Sequence, residues 1–243
     1  MSGLSVVVRT PSGLSGDMLL TGLSRLAAVS EAELDALTDA IGVPALANAV
    51  RIFPHAVGGV SGWQAVVDLT HEHHHRTYKA IVEIIKASAL AAAAKELAAN
   101  AFAILAEAEA RVHGITADAV HFHEVGALDS ILDICLASAL LAKIAPVNLY
   151  CSPLPICDGA IHCEHGILAS PAPAVQEMLA EVPVYGVDAE GETVTPTALA
   201  LLKAAKAKFG KWPDCTVVNQ ARVYGGKTFA NLPNGALFFA VRE

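Results

Sequence analysis

The stretch "LSVVVRTPSGLSGDMLLTGLSRLAA" (4–28) decides the fold, because it combines a strand pattern, a glycine turn and a helix pattern. Residues 4–9 are mostly apolar and short in extent, which predicts a buried strand. Residues 12–28 predict a turn that runs into a helix. Ser15 is suited to the N-cap, and Asp17 falls in the first turn, where the helix dipole favours a negative charge.

The rest of the chain continues this alternation of strands and helices. Ser30 and Glu33 have the spacing of a capping box. Two strands joined by "GGVSG" are expected around 50–55 and 63–69, and helical periodicity covers 78–112, with a break near Ser88 and a stop at Gly114. Further helices are predicted from about residue 128, within 170–182, and over 195–210 between Thr195 and Gly210, and further strands at 147–155, 214–226 and 235–243. The expected fold is α/β, a single domain over 1–243 with a mixed sheet and flanking helices.

Charge and composition exclude several classes of protein. The net charge is −8, and the 16 lysines and arginines form no cluster, so we expect no nucleic-acid binding. The longest apolar stretch, 128–147, contains Asp129, Asp133 and Lys143, which argues against a membrane span. No signal peptide is recognisable, and the five cysteines lack a paired spacing, so we expect a protein of the reducing cytoplasm.

Three short segments concentrate side chains that bind transition metals. They are "HEHHH" (71–75), with His71, His73, His74 and His75; "HFHEVGALDSILD" (121–133), with His121, His123, Glu124, Asp129 and Asp133; and "CDGAIHCEHG" (157–166), with Cys157, His162, Cys163, Glu164 and His165. Neutral imidazoles bind zinc, nickel, copper and iron when three or more donors converge. The sequence therefore predicts a metal site built from these segments.

Each segment also has a structural interpretation. The clustered histidines could form an exposed polar loop, and His121 and His123 could be hydrogen-bonded structural residues. Asp129 and Asp133 share one helix face but also suit a helix start, and Cys163 could be a small buried hydrophobe. Cys135 is assigned to the core.

The turn "SGLSGDM" (12–18) precedes a helix N-terminus, where backbone N–H groups bind phosphate. It lacks the lysine and spacing of a P-loop and the G-x-G-x-x-G spacing, so the nucleotide signal is weak.

Taken together, the motifs resemble one known family. "SGLSGDM", "HEHHHRTYKAI", "VHFHEVGALDSILDI", "SPLP", "CEHGILASPAPA", "TPTALALL" and "NQARVYGGKTF" occur in the order found in the nickel-insertion proteins of nickel-pincer cofactor biosynthesis. The resemblance implies insertion of nickel into pyridinium-3,5-bisthiocarboxylic acid mononucleotide, a lyase-type cyclometallation. Family members commonly carry a C-terminal domain associated with cytidine triphosphate, which this chain is expected to lack. The chain departs from the family pattern at Arg9, Thr10 and Ala198.

The donor segments supply candidates for individual roles, and the resemblance itself singles out no histidine as a ligand. Nickel, or alternatively zinc or manganese, would be held by His71, His73, His74, His75, His121, His123, Cys163 and His165. The ring carbon must lose a proton on metallation, so Glu124, Asp129 or a free histidine would act as base. The phosphate of the mononucleotide would lie at the helix start formed by Ser15, Gly16 and Asp17, with Asp17 orienting the phosphate rather than contacting it.

Two other functions stay open at this point. The chain could be a non-catalytic carrier of nickel or of the pincer nucleotide, or a metal-dependent phosphoester hydrolase. We expect a homo-oligomer, and we expect cytidine triphosphate to act only with a separate C-terminal-domain protein.

Overall fold

A computed structural model describes residues 3–69, 76–122, 125–163 and 166–243, without the side chains of His162 and Cys163. Its helices are α1 Gly16–Ala27, α2 Glu31–Asp39, α3 Tyr78–Ala87, α4 Ala92–His113, α5 Leu128–Ile144, α6 Pro173–Met178 and α7 Pro196–Ala204. Its strands are β1 Ser5–Arg9, β2 Val50–Val57, β3 Val60–Val67, β4 Arg76–Thr77, β5 His121–Phe122, β6 Leu149–Cys151, β7 Leu154–Cys157, β8 Ala160–Cys163, β9 Gly166–Ala169, β10 Val184–Val187, β11 Lys208–Phe209, β12 Thr216–Tyr224 and β13 Ala236–Arg242.

The main sheet is mixed, as the sequence predicted. Its order in the described residues is β11-β6-β1-β13-β12-β3-β2. Strand β1 runs parallel to β6 and antiparallel to β13, and β12 runs parallel to β3. Smaller two-stranded sheets pair β10 with β7, β4 with β5 and β8 with β9. The α/β class is therefore confirmed.

Helix α1 couples the sheet to the helical layer. It packs on β3, β12 and β13 and also against α5, while α4 packs against α5, α6 and α7. Gly22 allows this close approach, because a Cβ there would lie 2.4 Å from the ring of Phe238 on β13. The central strand β1 is buried through Val6, Val7 and Val8, so the start of α1 has a rigid base.

Most predicted helix boundaries are confirmed. Ser30 accepts a hydrogen bond from Glu33 N, and the reciprocal bond completes the capping box. Helix α4 is terminated by Gly114, which adopts the left-handed conformation at the C-cap. The prediction that Cys135 belongs to the core is also confirmed, since it is fully buried in α5. Within the described residues, no helix is both long and apolar enough to cross a bilayer.

The predicted stop at Gly210 is wrong. Helix α7 ends at Ala204, and the chain turns at Lys206, which has a φ of 53°. Residues 208–209 then pair with β6 as strand β11, with Phe209 opposite Cys151. The apolar pattern continues through the turn, so periodicity alone extended the helix too far.

Candidate functional site

The N-terminus of α1 forms the centre of the candidate site. Ser15 is the N-cap residue, with extended φ and ψ of −124° and 169°, but its side chain caps no backbone amide. Its hydroxyl instead donates to Oδ1 of Asp17. Burial raises the pKa of Asp17, and the hydrogen bond from Ser15 opposes that shift. The prediction that Ser15 is the N-cap residue is thus confirmed, but its hydroxyl group bonds to the Asp17 carboxyl group and not to a backbone N–H of the helix.

Asp133, on α5, lies directly against this helix start. A Cβ on Gly16 would be 2.5 Å from Asp133 Oδ2 and 2.9 Å from its Cβ, so only glycine lets the carboxyl approach so closely. Oδ1 of Asp133 is buried, and within the described part of the chain it has no hydrogen-bond partner. Burial, and then the charges of Asp17 and Asp129, raise the pKa of Asp133 well above its usual value.

Asp129, one helical turn earlier, has a different environment. Its side chain is exposed in the first turn of α5, and its Oδ1 accepts a hydrogen bond of 2.6 Å from the Ser130 backbone N–H. The sequence correctly placed both carboxylates on one helix face. It did not reveal that Asp133 is the buried member of the pair.

These carboxyl groups line a cleft of about 420 Å³, here named the acidic compartment. Its walls are Ser15, Gly16, Asp17, Ala65, Val67, Val125, Asp129, Ser130, Asp133, Glu192, Thr195, Pro196 and Thr197. Four of these residues are acidic, and among the described residues no lysine, arginine or histidine lines it. An excess of carboxyl groups in a confined cleft favours either bound cations or bound protons.

Three helices begin at the acidic compartment. Helix α1 starts at Gly16, α5 at Leu128 beside Asp129, and α7 at Pro196 after its N-cap Thr195. Each helix N-terminus stabilises a nearby negative charge by about 0.3–1 kcal/mol. Burial raises the pKa of Asp17 and of Asp133, and this effect outweighs the stabilisation of their charges by the helix N-termini. The three dipoles therefore moderate the repulsion between the carboxylates without removing it.

A second cleft of about 230 Å³, here named the glycine-rich compartment, adjoins the first. It is lined by Ser12, Gly13, Leu14, Ser15, Asp17, Met18, Glu192, Thr193, Thr195, Gly225, Gly226, Lys227, Phe229 and Gly235. The two clefts share Ser15, Asp17, Glu192 and Thr195, so a single elongated ligand could occupy both.

Lys227 supplies the positive charge of the glycine-rich compartment. Its Nζ donates to the Glu190 carbonyl at 2.6 Å and lies 5.1 Å from the ring centroid of Phe229. The sequence analysis assigned no role to Gly225, Gly226 and Lys227. The signal that could have found them is "YGGK" (224–227), two glycines and a lysine directly after a strand.

The predicted histidine ligands fall mostly outside the described residues. These are His71, His73, His74, His75, His123 and His165, together with Glu124 and the side chain of Cys163. His121 is described: it is exposed on β5 and pairs with Thr77 of β4. Within the described residues no group of three or more histidine, cysteine or acidic side chains could hold a metal ion. The predicted metal site stays a prediction.

The flanks of the first two histidine segments nevertheless meet. Strand β4 directly follows residues 70–75, β5 directly precedes 123–124, and the two strands are antiparallel neighbours. Arg76 reinforces the junction by donating to the Gly126 carbonyl at 3.1 Å. Val67, shortly before residue 70, and Val125, directly after residues 123–124, both line the acidic compartment, so each segment has a described flank at that cleft.

Cys157, in the third donor segment, has a structural position. Its Sγ is buried and lies 2.7 Å from the Gly191 carbonyl.

Two departures from the family pattern, Arg9 and Thr10, make hydrogen bonds within the fold. Arg9 donates to the Gly210 carbonyl at 2.9 Å, and the Thr10 hydroxyl lies 2.9 Å from that of Ser152.

Comparison with known proteins shows that the chain belongs to a class of proteins that handle metal ions. A family model described as nickel insertion protein matches residues 6–240, so the chain belongs to the nickel insertion protein family.

Curated relatives agree with this assignment. The chain is 38% identical to a putative nickel insertion protein of Geotalea daltonii over 223 residues, which is 92% of this chain and 57% of the relative. It is 35% identical to the pyridinium-3,5-bisthiocarboxylic acid mononucleotide nickel insertion protein of Staphylococcus epidermidis, over 92% of this chain and 55% of that protein. The chain thus spans little more than half the length of these relatives, and no solved structure matches it.

Proposed function

We propose that this chain acts in the insertion of nickel into pyridinium-3,5-bisthiocarboxylic acid mononucleotide. The observation that carries the proposal is the pair of adjoining compartments at the start of α1, in a chain of the nickel insertion protein family. The ligand named for the Staphylococcus epidermidis relative combines a cationic ring, two thiocarboxylates and a phosphate. An acidic cleft joined to a glycine-rich cleft suits those opposite charges.

In this proposal the phosphate lies in the glycine-rich compartment. The Lys227 ammonium group and the positive end of the α1 dipole, at Ser15, favour an anion there. Ser15 keeps the Asp17 carboxyl oriented through its hydrogen bond, which limits repulsion of the phosphate. The pyridinium ring then extends into the acidic compartment, where the carboxylates face the positive ring and the nickel dication offsets the negative charge of its two thiocarboxylates.

Nickel is substrate in this reaction, and the histidine segments would deliver it. Imidazoles of 71–75 and of His121 and His123 would hold the ion, with Cys163 or His165 as further donors. Their flanks meet beside the acidic compartment, which supports transfer over a short path. Glu124 or Asp129 would receive the ring proton, and Asp129 is exposed at the compartment wall.

Nickel binding is tested by calorimetric titration of the wild type and of a His73→Ala, His123→Ala double variant. We expect the double variant to lose most of the affinity. A Cys157→Ser, Cys163→Ser double variant is the matched comparison, and it should reduce affinity only modestly. Equal heats and affinities in the wild type and the histidine variant would exclude the site, and zinc or manganese in place of nickel tests its selectivity.

Conversion is tested by mass spectrometry of the organic ligand after incubation with nickel and cytidine triphosphate. We expect conversion only when the part of the Geotalea daltonii relative outside the matched 57% is supplied as a partner protein. Efficient conversion by the chain alone would contradict the requirement for a partner.

The second candidate function is a carrier of nickel or of the mononucleotide without catalysis. It is favoured by the four residues that the two compartments share, which let one elongated ligand occupy both without a chemical step. Ligand binding that never leads to conversion, with or without the partner segment, would support the carrier.

A further inference from the structure

The buried carboxyl of Asp133 has no role in the function proposed so far. Its Oδ1 is inaccessible to solvent, and the described residues offer it no hydrogen-bond donor. An ionised carboxylate in such a position would lose its hydration without compensation, which costs far more than a hydrogen bond returns. The group therefore needs a proton or a nearby cation.

The surroundings of Asp133 increase that need. Asp17 faces it from α1 and Asp129 from its own helix, and Glu192, in the segment before α7, lines the same cleft. Within the described residues, the lining of the compartment contains no cationic side chain to offset Asp17, Asp129 and Asp133. Full ionisation would place four negative charges around one cleft, which the three helix N-termini only partly compensate.

Neighbouring Asp129 lacks these features. It is exposed, and its Oδ1 already accepts a hydrogen bond from Ser130 N. Asp133 instead presses against the backbone of Gly16, at the point where α1 and α5 meet. The side chain of Asp133 is therefore fixed in position in the wall of the acidic compartment.

We propose that Asp133 is the proton-exchange group of the acidic compartment: it holds a proton when the compartment is empty and releases it when a cation enters. The exchange conserves atoms and charge, because one O–H bond breaks, the proton passes to solvent, and the carboxylate then faces the cation. This inference rests on the proposed function for its cation, since Val67 and Val125, which flank the first two histidine segments in the chain, line this cleft.

Infrared spectroscopy of the metal-free protein near neutral pH tests the resting state. We expect a carboxylic-acid carbonyl band whose intensity falls by one group in Asp133→Asn and is unchanged in Asp129→Asn, the matched variant on the same helix. Equal band intensity in Asp133→Asn and the wild type would overturn the proposal. Addition of nickel to the wild type should remove one group of intensity, a result that needs no variant to fold.

Calorimetry with nickel chloride in two buffers of different ionisation enthalpy tests the exchange itself. The protons released per bound nickel should be higher in the wild type than in Asp133→Asn by about one, whatever the histidines release in both proteins. Equal proton counts with intact nickel binding would overturn the exchange and leave the proposed function standing. Failure of both proteins to bind nickel would contradict the proposed function and the exchange together.

Discussion

Replacement of Asp133 by asparagine should make the protein more stable, by an amount that depends on pH. The folded-state pKa of Asp133 is raised by burial and by Asp17 and Asp129, whereas in the unfolded chain an aspartate has a pKa of about 3.9. Between the two values the folded protein binds one more proton than the unfolded chain. The wild-type free energy of unfolding therefore falls as pH rises, by up to about 1.4 kcal/mol per pH unit, and levels off above the folded-state pKa.

Asparagine cannot ionise, so the variant avoids this loss. The stability of Asp133→Asn relative to the wild type should grow by up to about 1.4 kcal/mol for each pH unit above about pH 5. Urea unfolding followed by circular dichroism, at several pH values, gives the two free energies. Asp129→Asn is the control: it removes only the last of the three causes that raise the pKa of Asp133, so it should change the pH dependence much less than Asp133→Asn. A stability difference for Asp133→Asn that is constant with pH would refute the reasoning.

Three further predictions concern the stability of the fold and the binding of nickel. Gly16→Ala should lower the free energy of unfolding, measured by urea titration, by about 1–3 kcal/mol, because the added Cβ would collide with Asp133. Gly186→Ala is the control and should change the free energy of unfolding little, because the space around Gly186 is open. Phe122→Ala should lower the free energy of unfolding by about 3–5 kcal/mol, because the ring of Phe122 is buried in the core. It should also weaken nickel binding measured by calorimetry, because Phe122 holds the strand that carries His121 in place. An unchanged free energy of unfolding would contradict the role of Phe122 in the core. Nickel affinity should decrease as pH falls through about 6.5, where imidazoles become protonated, and an affinity that is constant across this range would exclude histidine ligands.

The parts of the fold that sequence predicted are those governed by local chemistry. The strand at 4–9, the capping box at Ser30 and the stop at Gly114 depend on neighbouring residues, and the structure confirms all three. The order of the strands could not be predicted in this way, because β13 pairs not only with its sequence neighbour β12 but also with β1, whose residues are more than two hundred positions away. The two-residue strand β11 was missed for the same reason, since only its pairing with β6 makes it a strand.

The candidate site shows the same division between local and long-range information. Sequence identified Ser15, Gly16 and Asp17, because a helix start after a glycine turn is a local pattern. It also placed Asp129 and Asp133 on one helix face, yet it ranked the exposed Asp129 as the base and left Asp133 without a role. What distinguishes the two is contact with α1, whose residues lie more than a hundred positions away in the chain. The close approach at Gly16 buries one carboxyl and leaves the other in solvent. The chemistry of this cleft therefore follows from how α1 and α5 pack, and a change of packing at Gly16 should alter proton binding at Asp133 before it alters any predicted metal ligand.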